Sequence, residues 1–366
     1  MIPIYKPYLP KESLKYAYDA IETGWISSIG EYKNIASNKL SKILNVKHCL
    51  LLSNGTVATH LLIKAIKYRY PKACKVIVPN NVYIAAYNSI LFDGMDDFEI
   101  YPVDANLFTW NADYSKLPIE PDENTVFLIV HNLGNIVNVP SLKQKYPKSI
   151  FIEDNCEGIF GEYESKMSGT ESFCSSLSFF GNKNITTGEG GAILTNDTDL
   201  FKYLSKLQGQ GQTETRFIHD VLGYNYRMTN IHAAILLGQM DIYEEIKTKK
   251  TKIFNMYKEY LKGVDGVYFQ MEEIGCSHSL WMFGVRIEGN KSYMNAKNVF
   301  ESAGIETRPM FYPITRHKHL QHIKCIDTNA VKLNNECIIL PSYPELKDIE
   351  IEYICDIVKR YSKEML

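Results

Sequence analysis

Short apolar runs recur along the first half of the chain, each bounded by polar or glycine-rich residues. They lie at Cys49–Leu52, Lys75–Pro79, Phe98–Val103, Val126–Val130, Ser149–Ile152, Leu177–Phe180 and Ala192–Thr195. Stretches with helical spacing fall among them, at 31–44, 57–68, 83–92, 140–146 and 197–207. Strands alternating with helices in this way predict an α/β fold with a mostly parallel central sheet wrapped by helices. Residues 1–10 hold three prolines and read as an extended arm. A helix follows over 11–23, ended by Gly24. The run from Ile231 to about Lys262 reads as one long helix, able to bridge two domains, with the boundary near residue 245. The chain then divides into 1–245, an arm and a large domain, and 246–366, a smaller C-terminal α/β domain. The second part has a βαβ-like pattern, with a strand near 280–287 and helices at 292–303 and 347–363.

Composition narrows the function classes. The 40 basic and 42 acidic residues give a formal net charge of −2. Such a balance offers no global basic field for nucleic acid or an anionic membrane surface. No run of 18 apolar residues predicts a membrane span, and Met1–Pro7 lacks the apolar core of a signal peptide. The eight cysteines include no C-x-x-C pair, and several sit in apolar runs. They read as reduced core cysteines of a cytoplasmic protein.

The candidate chemistry centres on Ser178–Thr195. An apolar strand there ends in a turn with a single lysine, Lys183, followed by glycine-rich turns and a second apolar strand. An amine buried beside apolar groups deprotonates more readily and becomes a nucleophile, as Schiff-base chemistry requires. Upstream, Ser53-Asn54-Gly55-Thr56 joins a strand to a helix start, where free N–H groups and the helix dipole attract phosphate. Asp154 ends another strand, the place where α/β folds put ligand groups. Tyr83 follows the strand that closes at Pro79 and offers an aromatic face. Singly, these residues read equally well as a turn lysine, a helix cap and a half-buried aromatic. Together they supply what pyridoxal 5'-phosphate (PLP) needs: an amine for the aldehyde, an acid for the ring nitrogen and a phosphate cradle. The histidines of His317–His322 lack a zinc-type spacing, and no G-x-S-x-G elbow marks a hydrolase.

The stretch Ser178–Gly191 resembles the DegT/DnrJ/StrS sugar aminotransferases, together with Glu153-Asp154, Gly223–Asn230, Trp25–Ser28, Ser53–Thr56 and Ile305–Pro309. The likeness spans essentially the whole chain, and Ser-Phe-Phe-Gly-Asn-Lys is most similar to the branch forming GDP-perosamine and dTDP-viosamine. The resemblance implies the aspartate-aminotransferase-like PLP fold type I and a homodimer with shared active sites. It implies that Lys183 binds the cofactor covalently and then shuttles a proton, and that Asp154 pairs with the ring nitrogen. Glu157 falls near the ring hydroxyl and Tyr83 at the ring-stacking position. Gly55, Thr56 and Ser178 fall at the phosphate, joined by the partner subunit's Asn225. Trp25, Asn182, Arg227, His278 and Arg308 fall in segments lining the sugar or nucleotide pocket. The implied reaction moves the amino group of L-glutamate, which leaves as 2-oxoglutarate, to C4 of a nucleotide-linked 4-keto-6-deoxy sugar. A 3-aminotransferase and a non-catalytic PLP-binding regulator are the alternatives within the family. Its 3-dehydratases carry His in place of the lysine. Two departures stand out: Thr315 where the branch usually has His, and a shifted small-residue pattern at Gly158–Gly161.

Overall fold

A computed structural model describes residues 1–92 and 98–365. Helices α1 (Lys11–Glu22) and α2 (Tyr32–Ile43) precede strand β1 (His48–Leu52) and α3 (Gly55–Arg69). Next come β2 (Lys75–Pro79), α4 (Ala85–Leu91), β3 (Glu99–Val103), β4 (Thr125–Val130), α5 (Val139–Lys145) and β5 (Ile150–Asp154). Two short strands, β6 (Glu162–Tyr163) and β7 (Lys166–Met167), lead to β8 (Cys174–Ser178), β9 (Gly191–Thr195) and α6 (Thr198–Gln208). The remainder holds α7 (Asn230–Asp241), α8 (Tyr243–Tyr260), β10 (Val267–Phe269), β11 (Cys276–Ser277), β12 (Phe283–Ile287) and α9 (Tyr293–Ser302). It closes with β13 (Arg308–Pro309), α10 (Thr328–Glu336), β14 (Cys337–Leu340) and α11 (Asp348–Met365).

The seven-stranded sheet runs in the order β1-β9-β8-β5-β4-β2-β3. Neighbours from β8 to β3 pair in parallel, and β9 runs against both β8 and β1. Strands β4 and β5 are buried along their whole length, as continuous apolar runs demand when helices cover both faces. One face packs on α3 through Leu61, Leu62 and Ile66. The carboxyl ends of β2, β4, β5 and β8 open on one edge of the sheet, and the start of α3 joins them there.

A second, four-stranded antiparallel sheet runs β10-β12-β14-β13. Its core takes Phe254 and Tyr257 from α8, Phe300 from α9 and Ile354 and Val358 from α11. The unit β12–α9–β13 keeps the predicted βαβ order, with β14 inserted between the two strands. A third sheet, β11-β6-β7, is small.

Three expectations need correction. The predicted long helix is two, broken at Ile242, which leaves helical geometry at φ −123° and ψ 16°. Residues of α7 pack in the core shared with α1 and α2, and those of α8 in the core of the small sheet. One straight helix cannot serve both. The strand expected at Leu177–Phe180 starts earlier and ends at Ser178, so Phe180 turns outward and is half exposed. Only Cys49, Cys174, Cys337 and Cys355 among the eight free cysteines are buried; Cys74 is exposed. Among the described residues no helix is long and apolar enough to cross a membrane.

The crossing of α1 over α7 depends on a missing side chain. A Cβ at Gly238 would lie 2.2 Å from Ser13 N and 2.4 Å from Ser13 Cα. Ser13 is buried there, its hydroxyl donating to Ile235 O at 2.9 Å. We expect Gly238→Ala to force the helices apart and destabilise the fold by about 1–3 kcal/mol, read as a lower urea midpoint. An unchanged midpoint would show that the crossing can shift freely.

Candidate active site

A cavity of about 820 Å³ opens where the carboxyl edge of the large sheet meets the small one. Strand β5 ends in Asp154, buried in its wall. Asp154 Oδ1 accepts the Cys156 N–H at 3.2 Å. The turn after β5 delivers Glu157. Its Oε2 accepts the Leu133 N–H at 2.8 Å, and Leu133 is held at φ 58°. Lys183 follows β8 and is 9% exposed. Its Nζ lies 3.9 Å from Glu157 Oε1 and 3.6 Å from the centroid of the Trp281 ring. Burial pushes the Glu157 carboxyl up to about 7, although the Lys183 charge and the Leu133 N–H both pull it down.

The first turn of α3 also faces this cavity. First-turn amides of a helix lack intrahelical acceptors. Asn54 caps one of them, accepting the Val57 N–H at 3.0 Å. A Cβ on Gly55 would lie 2.7 Å from Ser178 Cβ and 2.9 Å from Ser178 Oγ. Glycine thus keeps open a cradle formed by a hydroxyl and a helix start. That is a fit for a phosphate. Asp154 fits a cationic ring nitrogen, and Lys183 fits an amine that bonds an aldehyde.

The structure brings Gly55, Thr56, Tyr83, Asp154, Glu157, Ser178, Asn182, Lys183 and Arg308 to this one cavity. Tyr83 precedes α4, not on its first turn as expected, and stands at the rim, 6.2 Å from Phe311 between ring centroids. Arg308 pairs with Glu306 at 2.5 Å. Four expected residues are not in the cavity wall of this chain. Asn225 is exposed and bridges to Gly209. Trp25 is 56% exposed, and its carbonyl accepts from Asn230. Arg227 Nε donates to Ser28 Oγ at 3.2 Å. His278 sits behind the wall, where its Nδ1 accepts the Leu280 N–H at 2.8 Å. Its other nitrogen, 3.2 Å from Gln270 Oε1, therefore carries the proton. Burial pushes its pKa down to about 3, with Lys258 and Lys250 adding to the effect.

A sequence model described as the DegT/DnrJ/EryC1/StrS aminotransferase family matches residues 7–359. The chain belongs to this family. It is 32% identical to a GDP-perosamine synthase of Escherichia coli O157:H7, over 98% of each chain. It is 33% identical to a GDP-perosamine synthase of Vibrio cholerae, over 99% of each. Its fold matches Helicobacter pylori PseC, described as an aminotransferase involved in the biosynthesis of pseudoaminic acid, with a TM-score of 0.90. That match has 22% identity and covers 99% of both chains.

Several motif residues from the sequence, Lys183, Asp154 and Gly55 among them, lie in this cavity wall. Others in the wall carried no such mark. Trp281 was read as part of a strand, yet the chain turns at Leu280, φ 61°, and aims the indole at Lys183. His317 was weighed for a metal and instead lines the cavity beside Tyr312. Thr315, two residues before it, donates to Asp327 Oδ2 at 2.5 Å. Among the described residues no cluster of His, Cys, Asp and Glu could hold a metal ion. Cys156 lines the cavity too, and burial, with the Asp154 charge, pushes its thiol pKa well above the usual range.

The raised Glu157 pKa makes a linkage prediction for the cofactor-free protein. Between the unfolded value near ~4.3 and the folded value of about 7, the folded chain holds a proton that the unfolded chain has lost. Stability therefore falls as pH rises through this window. Glu157→Gln should flatten that decline by about 1–3 kcal/mol between pH 5 and 7.5, measured by urea unfolding at each pH. Parallel curves for the two proteins would contradict the assignment.

Proposed function

We propose that this protein is a PLP-dependent nucleotide-sugar 4-aminotransferase of PLP fold type I. The observation that carries the reading is the buried Lys183 amine facing the cavity that Asp154 and Glu157 also line. When bound, the cofactor supplies an aldehyde carbon to accept an amino group and a protonated ring that draws electrons from the reacting centre. Lys183 holds the cofactor covalently, and once displaced it carries a proton to and from the substrate carbon. Asp154 keeps the ring nitrogen protonated. Ser178 and the amides of Gly55 and Thr56 would hold the phosphate, Glu157 would serve the ring hydroxyl and Tyr83 the ring face. The flanking apolar and aromatic walls, with Phe311, Tyr312 and Arg308 at the open side, suit a nucleotide-linked sugar.

L-Glutamate enters, gives up its amino group and leaves as 2-oxoglutarate. A nucleotide-linked 4-keto-6-deoxy sugar then receives that group at C4, giving a 4-amino-4,6-dideoxyhexose for glycan biosynthesis. The perosamine synthases among the relatives support the C4 position and favour GDP over dTDP. We place the enzyme in the cytoplasm, which its free cysteines suit.

The active form we propose is a homodimer. Helix α1 exposes Leu14, Tyr18 and Ile21 at i, i+4 and i+7, and Trp25, Ile26 and Ile29 continue the apolar surface. Arg227 and the exposed Asn225 lie on the segment that packs against this loop. In the dimer these three residues, Trp25, Arg227 and Asn225, complete the neighbouring site. The division into domains at about residue 245 is likewise our reading; it falls just after the break at Ile242.

Wild-type protein loaded with PLP should be yellow, and glutamate should bleach it. Lys183→Ala should lower kcat by at least about 10³-fold. Lys183→Arg should fail equally, because guanidinium does not deprotonate. NMR of the product formed from each nucleotide ketosugar fixes the aminated carbon. Turnover by either variant, or amination at C3, would overturn the corresponding part of this reading.

A further inference from the structure

A second lysine stands behind the catalytic wall. We propose that Lys250 is a positioning residue that holds Trp281 with its ring against the Lys183 amine. The proposal rests on the functional reading above and concerns the same site.

Lys250 belongs to α8 and is 1% exposed. Its Nζ donates to Trp281 O at 2.8 Å and to Ser342 O, and lies 3.5 Å from Ser342 Oγ. Trp281 precedes β12 and Ser342 follows β14, and these two strands pair through Phe283 and Leu340. The amine therefore clamps the end of that ladder which faces the cavity. From there Trp281 reaches forward: its Nε1–H donates to Asn182 O at 2.8 Å, and its ring covers Lys183 Nζ. The N-terminal arm adds a parallel tie. Tyr5 donates its hydroxyl to Lys183 O at 2.9 Å, and its ring centroid lies 5.5 Å from Lys250 Nζ. Lys250 thus touches both residues that hold the Asn182–Lys183 backbone.

A buried amine is costly, and an apolar side chain of equal length would fill the volume at lower free energy. What an apolar chain cannot do is bond two carbonyls from different strands. Burial lowers the Lys250 pKa to about 7. Charged or neutral, the amine keeps the two N–H groups that those carbonyls require. The Trp281 turn has a second support in His278, which accepts the N–H of Leu280. The two residues together explain how a side chain next to a left-handed Leu280 keeps one orientation.

The test uses PLP-loaded full-length protein and reads the pH midpoint of the cofactor's visible absorbance. A ring facing a cation favours the charged form. Lys250→Met keeps the side-chain length and removes the donors, so the midpoint should fall by about half a unit to one unit. Trp281→Leu should produce a similar fall, and the double variant should fall no further than the larger single shift. A midpoint unchanged in Lys250→Met, or two shifts that add, would overturn the proposal. If Lys250→Met does not fold, Lys250→Leu, which also lacks a donor, replaces it: a fall in the same direction supports the proposal and no movement overturns it. Borohydride reduction separates this outcome from failure of the functional reading. Wild-type protein with no cofactor fixed on Lys183 defeats both. Wild-type protein with a fixed cofactor and an unmoved Lys250 variant defeats the positioning role alone.

Discussion

An amine withdrawn from water is the constraint on which this structure turns. Lys183 is 9% exposed, and a buried amine without compensating partners is expensive. The compensation comes from three directions. Trp281 offers the negative face of its ring at 3.6 Å. Glu157 approaches to 3.9 Å, and Asp154 shares the cavity. The lysine, the two carboxylates and the indole arrive on three pieces of backbone: the hairpin of β8 and β9, the end of β5 and the approach to β12.

Strand β5 ends in two carboxylates of opposite fate. Side chains alternate across a strand, so Asp154 faces the cavity while Glu153 faces the other way. Glu153 is fully buried, which by itself would raise its pKa; the His131 hydrogen bond and the Gly169 N–H overcome that and hold it low. His131 Nδ1 accepts the Val137 N–H at 3.1 Å, so its proton sits on Nε2 and points at Glu153. Tyr163 adds a bond at 3.3 Å. Glu153 is saturated with donors and anchors the strand. Glu157, four residues on, has fewer donors and sits near neutrality. Difference in hydrogen bonding, not in burial, separates the low carboxyl of Glu153 from the raised one of Glu157.

The arm at the N-terminus joins the two sheets to the site. Ile2 bridges to Ile305, and Ile4 N–H donates to Glu306 at 2.9 Å. Glu306 in turn pairs with Arg308 at the cavity. Three residues after Ile2, Tyr5 ties the arm to the Lys183 carbonyl. A short proline-rich segment thereby couples the small sheet's edge to the loop that carries Lys183.

The α/β class, the strands of the large sheet and several residues of the cavity wall were legible in the chain because each rests on local order. Alternating apolar and polar runs report burial, and Lys183, Asp154 and Gly55-Thr56 sit at strand ends that the pattern marks. The break at Ile242 was not legible. It carries no proline or glycine and follows only from which core each half meets. The strand Cys337–Leu340 is a four-residue apolar run that takes its place between β12 and β13 only in three dimensions. That Trp281, and not His278, lines the cavity was not legible either, because it follows from the left-handed turn at Leu280. Lys250 looked like any cation on an amphipathic helix. Sequence by itself determined which groups are present and which apolar runs form the large sheet, though not each strand's exact end. Only the tertiary structure decided which of them meet, since contact across hundreds of residues depends on the packing of whole elements and leaves no local trace.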